Sequence, residues 1–172
     1  MALTERVQTK ETIGRFIKDY FFLSNFYSTD VWFAGIKFRN AEAAFQAMKC
    51  NGPKHRAMFK NLEAYQAKRL GRSINLRPDW ESVKDDIMLK VCFAKFSQNT
   101  DLRDKLIATF PKYLEEGNDW NDKYWGVCNG VGMNKLGKIL MKIRDYYIQS
   151  YKNNDLDAFV KVYTGEEYYN VF

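Results

Sequence analysis

Between Val31 and Phe38 the chain alternates in two short pieces, Val31-Trp32-Phe33 and Ile36-Lys37-Phe38, around Ala34-Gly35, the pattern of two strands joined by a tight turn. Ile13-Gly14-Arg15-Phe16-Ile17 reads as a further strand, so the predicted sheet is small and N-terminal. After residue 39 the period becomes helical. Ala41 to Met48 are mostly strong helix formers set between Asn40, a good N-cap, and the stop Asn51-Gly52-Pro53, which predicts a helix of about three turns. Residues 54–61 and 63–70 read as two more helices, the second closed by Gly71. Asp79 is placed to cap a long central helix over 80–98, where Val83, Ile87, Val91 and Ala94 recur at helical spacing. Asn99-Thr100-Asp101 punctuates before a helix over 102–109, which Pro111 stops, and Asn134 is placed to cap a helix over 135–147. Residues 118–132, dense in turn formers and aromatics, predict a structured loop of the kind that carries function.

These elements predict an α+β fold: a mainly helical single domain over 13–150 with a small N-terminal sheet. Residues 1–12 lack periodicity and read as a leader, and 151–172 as a C-terminal extension packed on the same domain, with a strand at 158–163.

A chain of 172 residues can bury an ordinary core without staples. Cys50, Cys92 and Cys128 are widely spaced, and His55 is the single histidine, so neither a disulfide framework nor a zinc set is expected. The cysteines read as reduced, buried thiols. Cys128 falls within the predicted functional loop, but no histidine pattern supports a nucleophile there. No metal and no cofactor are expected. The apolar runs fall well short of the ~18 residues that span a bilayer, which predicts a cytoplasmic protein with no membrane partner. Lysine and arginine number 27 against 21 acidic residues, a net charge of +6, which suits a polyanionic partner such as nucleic acid or a nucleotide diphosphate. Aromatics at 16% can fill a core or stack on a base.

The candidate chemistry gathers on the helix that begins after Asn40. Glu42 and Lys49 are seven residues apart, a little short of two turns, so they share a face with Phe45 and Gln46 between them. That stripe fits an amphipathic helix, its anion in the first turn and its cation in the last, and it equally fits a site. The preceding loop, Phe22-Leu23-Ser24-Asn25-Phe26, sets a short polar pair among aromatics, where Asn25 could hydrogen-bond a ligand and Phe26 or Phe22 stack on it. Lys68 and Arg69 read as a solvated face, and Arg72, after Gly71, as the better phosphate ligand.

Phe22-Leu23-Ser24-Asn25-Phe26 and Glu42-Ala43-Ala44-Phe45-Gln46-Ala47-Met48-Lys49 resemble the signatures of the NADAR, or YbiA-like, family. The resemblance runs on, in the family's order, through Leu70-Gly71-Arg72, Trp80-Glu81-Ser82-Val83-Lys84 with Met88, Asn121-Asp122 with Tyr124-Trp125-Gly126, and Asn134 with Leu136-Gly137. Val127 and Cys128 stand where the family often carries an acidic residue. The resemblance implies an N-glycosidase acting on a bond between ribose C1 and nitrogen, either in ADP-ribose attached to guanine in nucleic acid or in phosphorylated ribosylamino intermediates of riboflavin synthesis. It implies Glu42 and Asp122 as acid–base groups and Lys49 as nucleophile or electrostatic partner, with Ser24, Asn25, Phe26, Phe45, Arg72, Trp80 and Trp125 holding the substrate. Charge and aromatic content favour ADP-ribosylated nucleic acid. A non-catalytic module for ADP-ribose or NAD-like nucleotides and a basic nucleic-acid-binding domain without a pocket are the competing readings.

Overall fold

The computed structural model describes residues 11–154. The predicted strand at 158–163 and nearly all of the leader lie outside the described residues.

The predicted hairpin forms. Strands β2 (Ser28–Phe33) and β3 (Ile36–Asn40) pair antiparallel with Val31 opposite Phe38. Ala34 and Gly35 both take positive φ, 50° and 74°, the twist that joins antiparallel strands in two residues. Alternation buries Val31, Phe33 and Phe38 and leaves Trp32, Lys37 and Arg39 outside. The Gln98 side chain covers the hairpin's free edge, accepting from Trp32 N and donating to Trp32 O, each at 2.7 Å.

The strand expected at 13–17 shortens to β1 (Thr12–Ile13), which pairs in parallel with β4 (Tyr113–Leu114). Beyond it the backbone turns against a loop: a Cβ at Gly117 would stand 2.1 Å from the Gly14 carbonyl, so glycine permits the approach. A 3-10 helix, Lys18–Leu23, then leads to the Ser24-Asn25-Phe26 loop. A third small pairing, β5 (Gly117–Asn118) beside β6 (Val127–Cys128), orders the turn-rich segment. Strand pairing is thus not confined to the N-terminal part: of the three two-stranded sheets among the described residues, two involve residues beyond 110, which pattern alone did not foresee.

Helix α1 (Ala41–Ala47) is capped as predicted, Asn40 Oδ1 accepting from Ala43 N at 2.7 Å. It spans about two turns rather than three. Met48, Lys49 and Cys50 donate to carbonyls three residues back, tightening the end, and the Lys49 carbonyl accepts from Arg77 N at 2.8 Å. Residues 54–61 divide into α2 (Pro53–Arg56) and a 3-10 turn, Ala57–Phe59. Helix α3 (Ala64–Gly71) includes Gly71 instead of stopping before it. The long central helix α4 (Trp80–Gln98) and α5 (Thr100–Ala108) follow. Asp79 does not cap α4 with its side chain, because both carboxylate oxygens accept from Arg77, at 2.6 and 2.9 Å. Asn134 stands at the N-cap of α6 (Lys135–Lys152) with φ 50°, yet its side chain turns away to bond Glu116 N, Leu114 O and the Tyr113 hydroxyl.

The core lies where α4 packs against α1, the hairpin and α6. In α4, residues 91–97 are all buried, a width that a helix shows only when packed on several sides. Lys95 lies within that run, fully buried. Its Nζ donates to Phe22 O at 2.6 Å and Ser24 O at 2.8 Å, which fixes the loop leading into β2.

Candidate active site

A cleft of about 700 Å³ opens between the 22–26 loop, α1, α3, the start of α4 and the 116–125 segment. Ser24, Asn25, Phe26, Glu42, Phe45, Lys49, Arg72, Trp80, Asp122 and Trp125, named from sequence as site residues, all line it.

Glu42 stands in the first turn of α1, buried, its backbone N–H donating to Asn25 O at 3.0 Å, so loop and helix are locked together. Gln46, one turn on, donates from Nε2 to Glu42 Oε1 at 2.7 Å. Burial pushes the Glu42 carboxyl above the usual carboxylate range; the Gln46 bond and the charges of Lys68 and Lys49 oppose this, and Asp122 reinforces it. Lys49 lies just past the end of α1 rather than in its last turn. Its Nζ is 3.4 Å from Gly71 O and 5.7 Å from the centre of the Trp80 ring. Burial lowers its pKa, Glu42 works against that, and the charges of Lys68 and Arg72 add to it. Desolvation of the Lys49 amine therefore outweighs its pairing with Glu42.

The aromatic wall is a packed row. Phe45 touches Trp80 with ring centres 5.2 Å apart and Trp125 at 5.5 Å, and Trp80 is buried, so it serves the core as well as the cleft. Asn25 is also buried: its amide donates to Met88 Sδ at 3.2 Å and accepts from Cys92 Sγ at 3.6 Å, both weak sulfur partners. Ser24 Oγ accepts from Phe26 N at 3.1 Å, a tight local turn that presents the Phe26 ring. Asp122 Oδ1 accepts from Tyr124 N at 3.1 Å and Trp125 N at 2.9 Å, so that oxygen shapes the loop carrying Trp125.

Lys68, read from sequence as solvated, lines the cleft, with Nζ 5.5 Å from the Phe26 ring and 5.8 Å from the Trp120 ring. Its position on α3 looks exposed in one dimension; the loops on either side fold over it. Arg15, Lys84, Glu116, Trp120 and Tyr124 also line the cleft; Lys84 and Tyr124 stand in the family-like motifs, but none of the five was named from sequence as a site residue. The available signal for Glu116 was an adjacent acidic pair, Glu115-Glu116, just before the turn-rich segment, but no pattern says which of two neighbours faces inward. Cys128 is buried in β6 and is not among the lining residues. Arg69 and Arg77 do not line the cleft either. Among the described residues, no three of the His, Cys, Asp and Glu side chains are grouped to hold a metal ion.

Residues 10–147 match the NADAR domain. This chain belongs to the NADAR domain family. It is 40% identical over 131 residues to the N-glycosidase YbiA of Escherichia coli, covering 74% of this chain and 81% of that one. A riboflavin biosynthesis protein of Vibrio vulnificus is 34% identical over 128 residues, which are 72% of this chain and 35% of that protein. The NMR structure of E. coli YbiA superposes with a TM-score of 0.74 at 36% identity, covering 86% of this chain and 92% of that one. The NADAR fold is accordingly the α+β arrangement described above: one mainly helical domain with small sheets. Among the described residues, no helix is long and apolar enough to cross a membrane.

Proposed function

We propose that this NADAR chain is an N-glycosidase that hydrolyses the bond between ribose C1 and a nitrogen, and that its substrate is ADP-ribose attached to guanine in nucleic acid. The observation that carries the reading is one cleft that holds a buried carboxyl, Glu42, and a lysine with lowered pKa, Lys49, beside indole rings. Breaking an N-glycosidic bond builds positive charge on C1, which a nearby carboxylate stabilises. Glu42 and Asp122 are the acid–base groups in this proposal. Lys49 is the nucleophile, its neutral amine attacking C1 to give an imine that water hydrolyses. Phe26, Phe45, Trp80 and Trp125 supply stacking surface, Ser24 and Asn25 the loop against which the ligand lies, and Arg72 a charge for phosphate.

The choice of substrate is supported by the cations Arg15, Lys68, Arg72 and Lys84 around the cleft, which suit a diphosphate bridge and a nucleic-acid strand. No cofactor enters the proposed reaction. The name of the Vibrio relative favours a second reading, hydrolysis of a phosphorylated ribosylamino intermediate of riboflavin synthesis. A module that only binds ADP-ribose has no need of a glutamate and a lysine both shifted toward neutrality. The buried free thiols support a reducing compartment, the cytoplasm. The test is a product assay of the purified protein on DNA carrying ADP-ribosylated guanine and on the riboflavin-pathway ribosylamine. Release of ADP-ribose with unmodified guanine is expected; turnover of the ribosylamine alone selects the second reading, and binding without turnover of either overturns the glycosidase.

A further inference from the structure

Glu116 lines the cleft from the segment between β4 and β5, and the chain around it is built to hold it there. Its N–H donates to Asn134 Oδ1 at 3.0 Å, and its carbonyl accepts from Val127 N at 2.8 Å. A Cβ at Gly126 would stand 2.2 Å from the Glu116 carbonyl and 3.1 Å from its Cγ, so glycine leaves the room that the glutamate occupies. Asn134 is thereby diverted from capping α6 to positioning this one residue. At the other end of the side chain, Oε2 is buried and has no hydrogen-bond partner among the described residues. A buried polar oxygen without a partner is costly, and in a cleft that cost is relieved when a ligand supplies the missing group. Asp122, by contrast, has already committed Oδ1 to two backbone N–H groups.

We infer that Glu116 is a further catalytic residue of this cleft, donating the proton that the departing nitrogen takes up when its bond to ribose C1 breaks. The assignment rests on the glycosidase reading above and adds Glu116 to its acid–base groups, Asp122 also shaping the loop through Oδ1. Whether Lys49 Nζ or water attacks, the electron pair of the C1–N bond leaves with the nitrogen, which must gain a proton to depart as a neutral base. Glu116 Oε–H supplies it and becomes a carboxylate. The water that later adds its oxygen to C1 returns a proton to that carboxylate, so one water is consumed and the residue ends as it began.

The groups facing Glu116 favour the protonated form. Burial is the main cause, Asp122 from the loop and Glu42 from α1 add to it, and Lys68 from α3 and Lys95 from α4 oppose it, leaving the carboxyl raised to about 7. Glu116 thus keeps its proton at a pH where an ordinary glutamate has lost it.

The test compares kcat and KM of the wild type, E116Q and E116D between about pH 5 and pH 9, alongside thermal melts. E116Q keeps the shape and loses the transferable proton, so its kcat at neutral pH is expected to fall by about 100-fold with KM within about threefold. The wild-type advantage over E116Q should shrink as pH rises past about 7, because the wild-type acid ionises there. E116D, which retains an ionisable group on a shorter arm, should recover part of the activity and the same pH trend, and it decides the matter if E116Q melts early. An active wild type whose E116Q matches it, or whose E116Q and E116D lose affinity and kcat together at every pH, overturns this assignment alone. A wild type that turns over neither substrate removes the glycosidase reading and this inference with it.

Discussion

Gly71 and Gln46 compete for one volume: a Cβ at position 71 would stand 1.9 Å from Gln46 Oε1 and 3.2 Å from Gln46 Cβ. The same Gln46 amide donates to Glu42 at 2.7 Å, so a glycine on α3 sets the hydrogen bond on a carboxyl of α1. Gly71→Ala is expected to push the flexible end of Gln46 aside and cost about 1 kcal/mol of stability, the worth of one buried hydrogen bond. The larger effect should be on kcat, down by about tenfold or more, because Glu42 loses its orienting donor. Urea denaturation and steady-state kinetics on the same preparation check both, and an unchanged kcat would show that Gln46 does not orient Glu42.

Glu42→Gln separates catalysis from folding through pH. The folded protein holds the Glu42 proton more tightly than the unfolded chain, since burial raises its pKa. Stability from this group is therefore fully present below the ordinary carboxyl pKa and is lost as pH rises through the raised folded value. The glutamine variant lacks that loss. At about pH 8 it should be at least as stable as the wild type, with kcat reduced by about 100-fold or more. Chemical denaturation at acid and alkaline pH measures the first, turnover the second; an early melt at both pH values would make Glu42 structural.

Lys49 distinguishes an imine from a simple charge contact. Borohydride added during turnover should trap a covalent adduct on Lys49, detectable by peptide mass. Lys49→Arg keeps the positive charge but lacks a usable nucleophile and should be inactive. An active arginine variant with no trapped adduct would sink the imine route and leave Lys49 to steady an anion.

Lys95 predicts a pH-dependent support for the ligand loop. Burial lowers its pKa from 10.5 to about 7, so between those values the unfolded chain binds a proton that the folded protein does not. Wild-type stability from this group rises with pH across that window. Lys95→Met removes the slope and takes the Lys95 donor from the Phe22 carbonyl, at about 1–3 kcal/mol for a group left unsatisfied, while the Ser24 carbonyl keeps Tyr27 N at 3.2 Å. The stability gap between wild type and variant should widen from pH 7 to pH 10, and ADP-ribose affinity should weaken by about tenfold. Urea melts at the two pH values and calorimetric titration test this; a constant gap would mean that Lys95 is not neutral in the folded state.

What the sequence by itself determined was local. The Ala34-Gly35 turn, the Asn40 cap, the helical repeat of α4 and the run of site motifs depend on neighbours a few positions apart, and those neighbours are written side by side. Tertiary structure decided what each residue faces. It placed Lys49 past the helix end, where burial acts on its amine and its carbonyl accepts from Arg77 N. It turned Gly71 from a helix stop into a space for Gln46, and Asn134 from a cap into the anchor of Glu116. It also brought Lys68 over Phe26 and Trp120, residues distant in sequence on two separate loops. Such roles arise from long-range packing, where direction, desolvation and competition for one volume matter, and no periodicity along the chain encodes them.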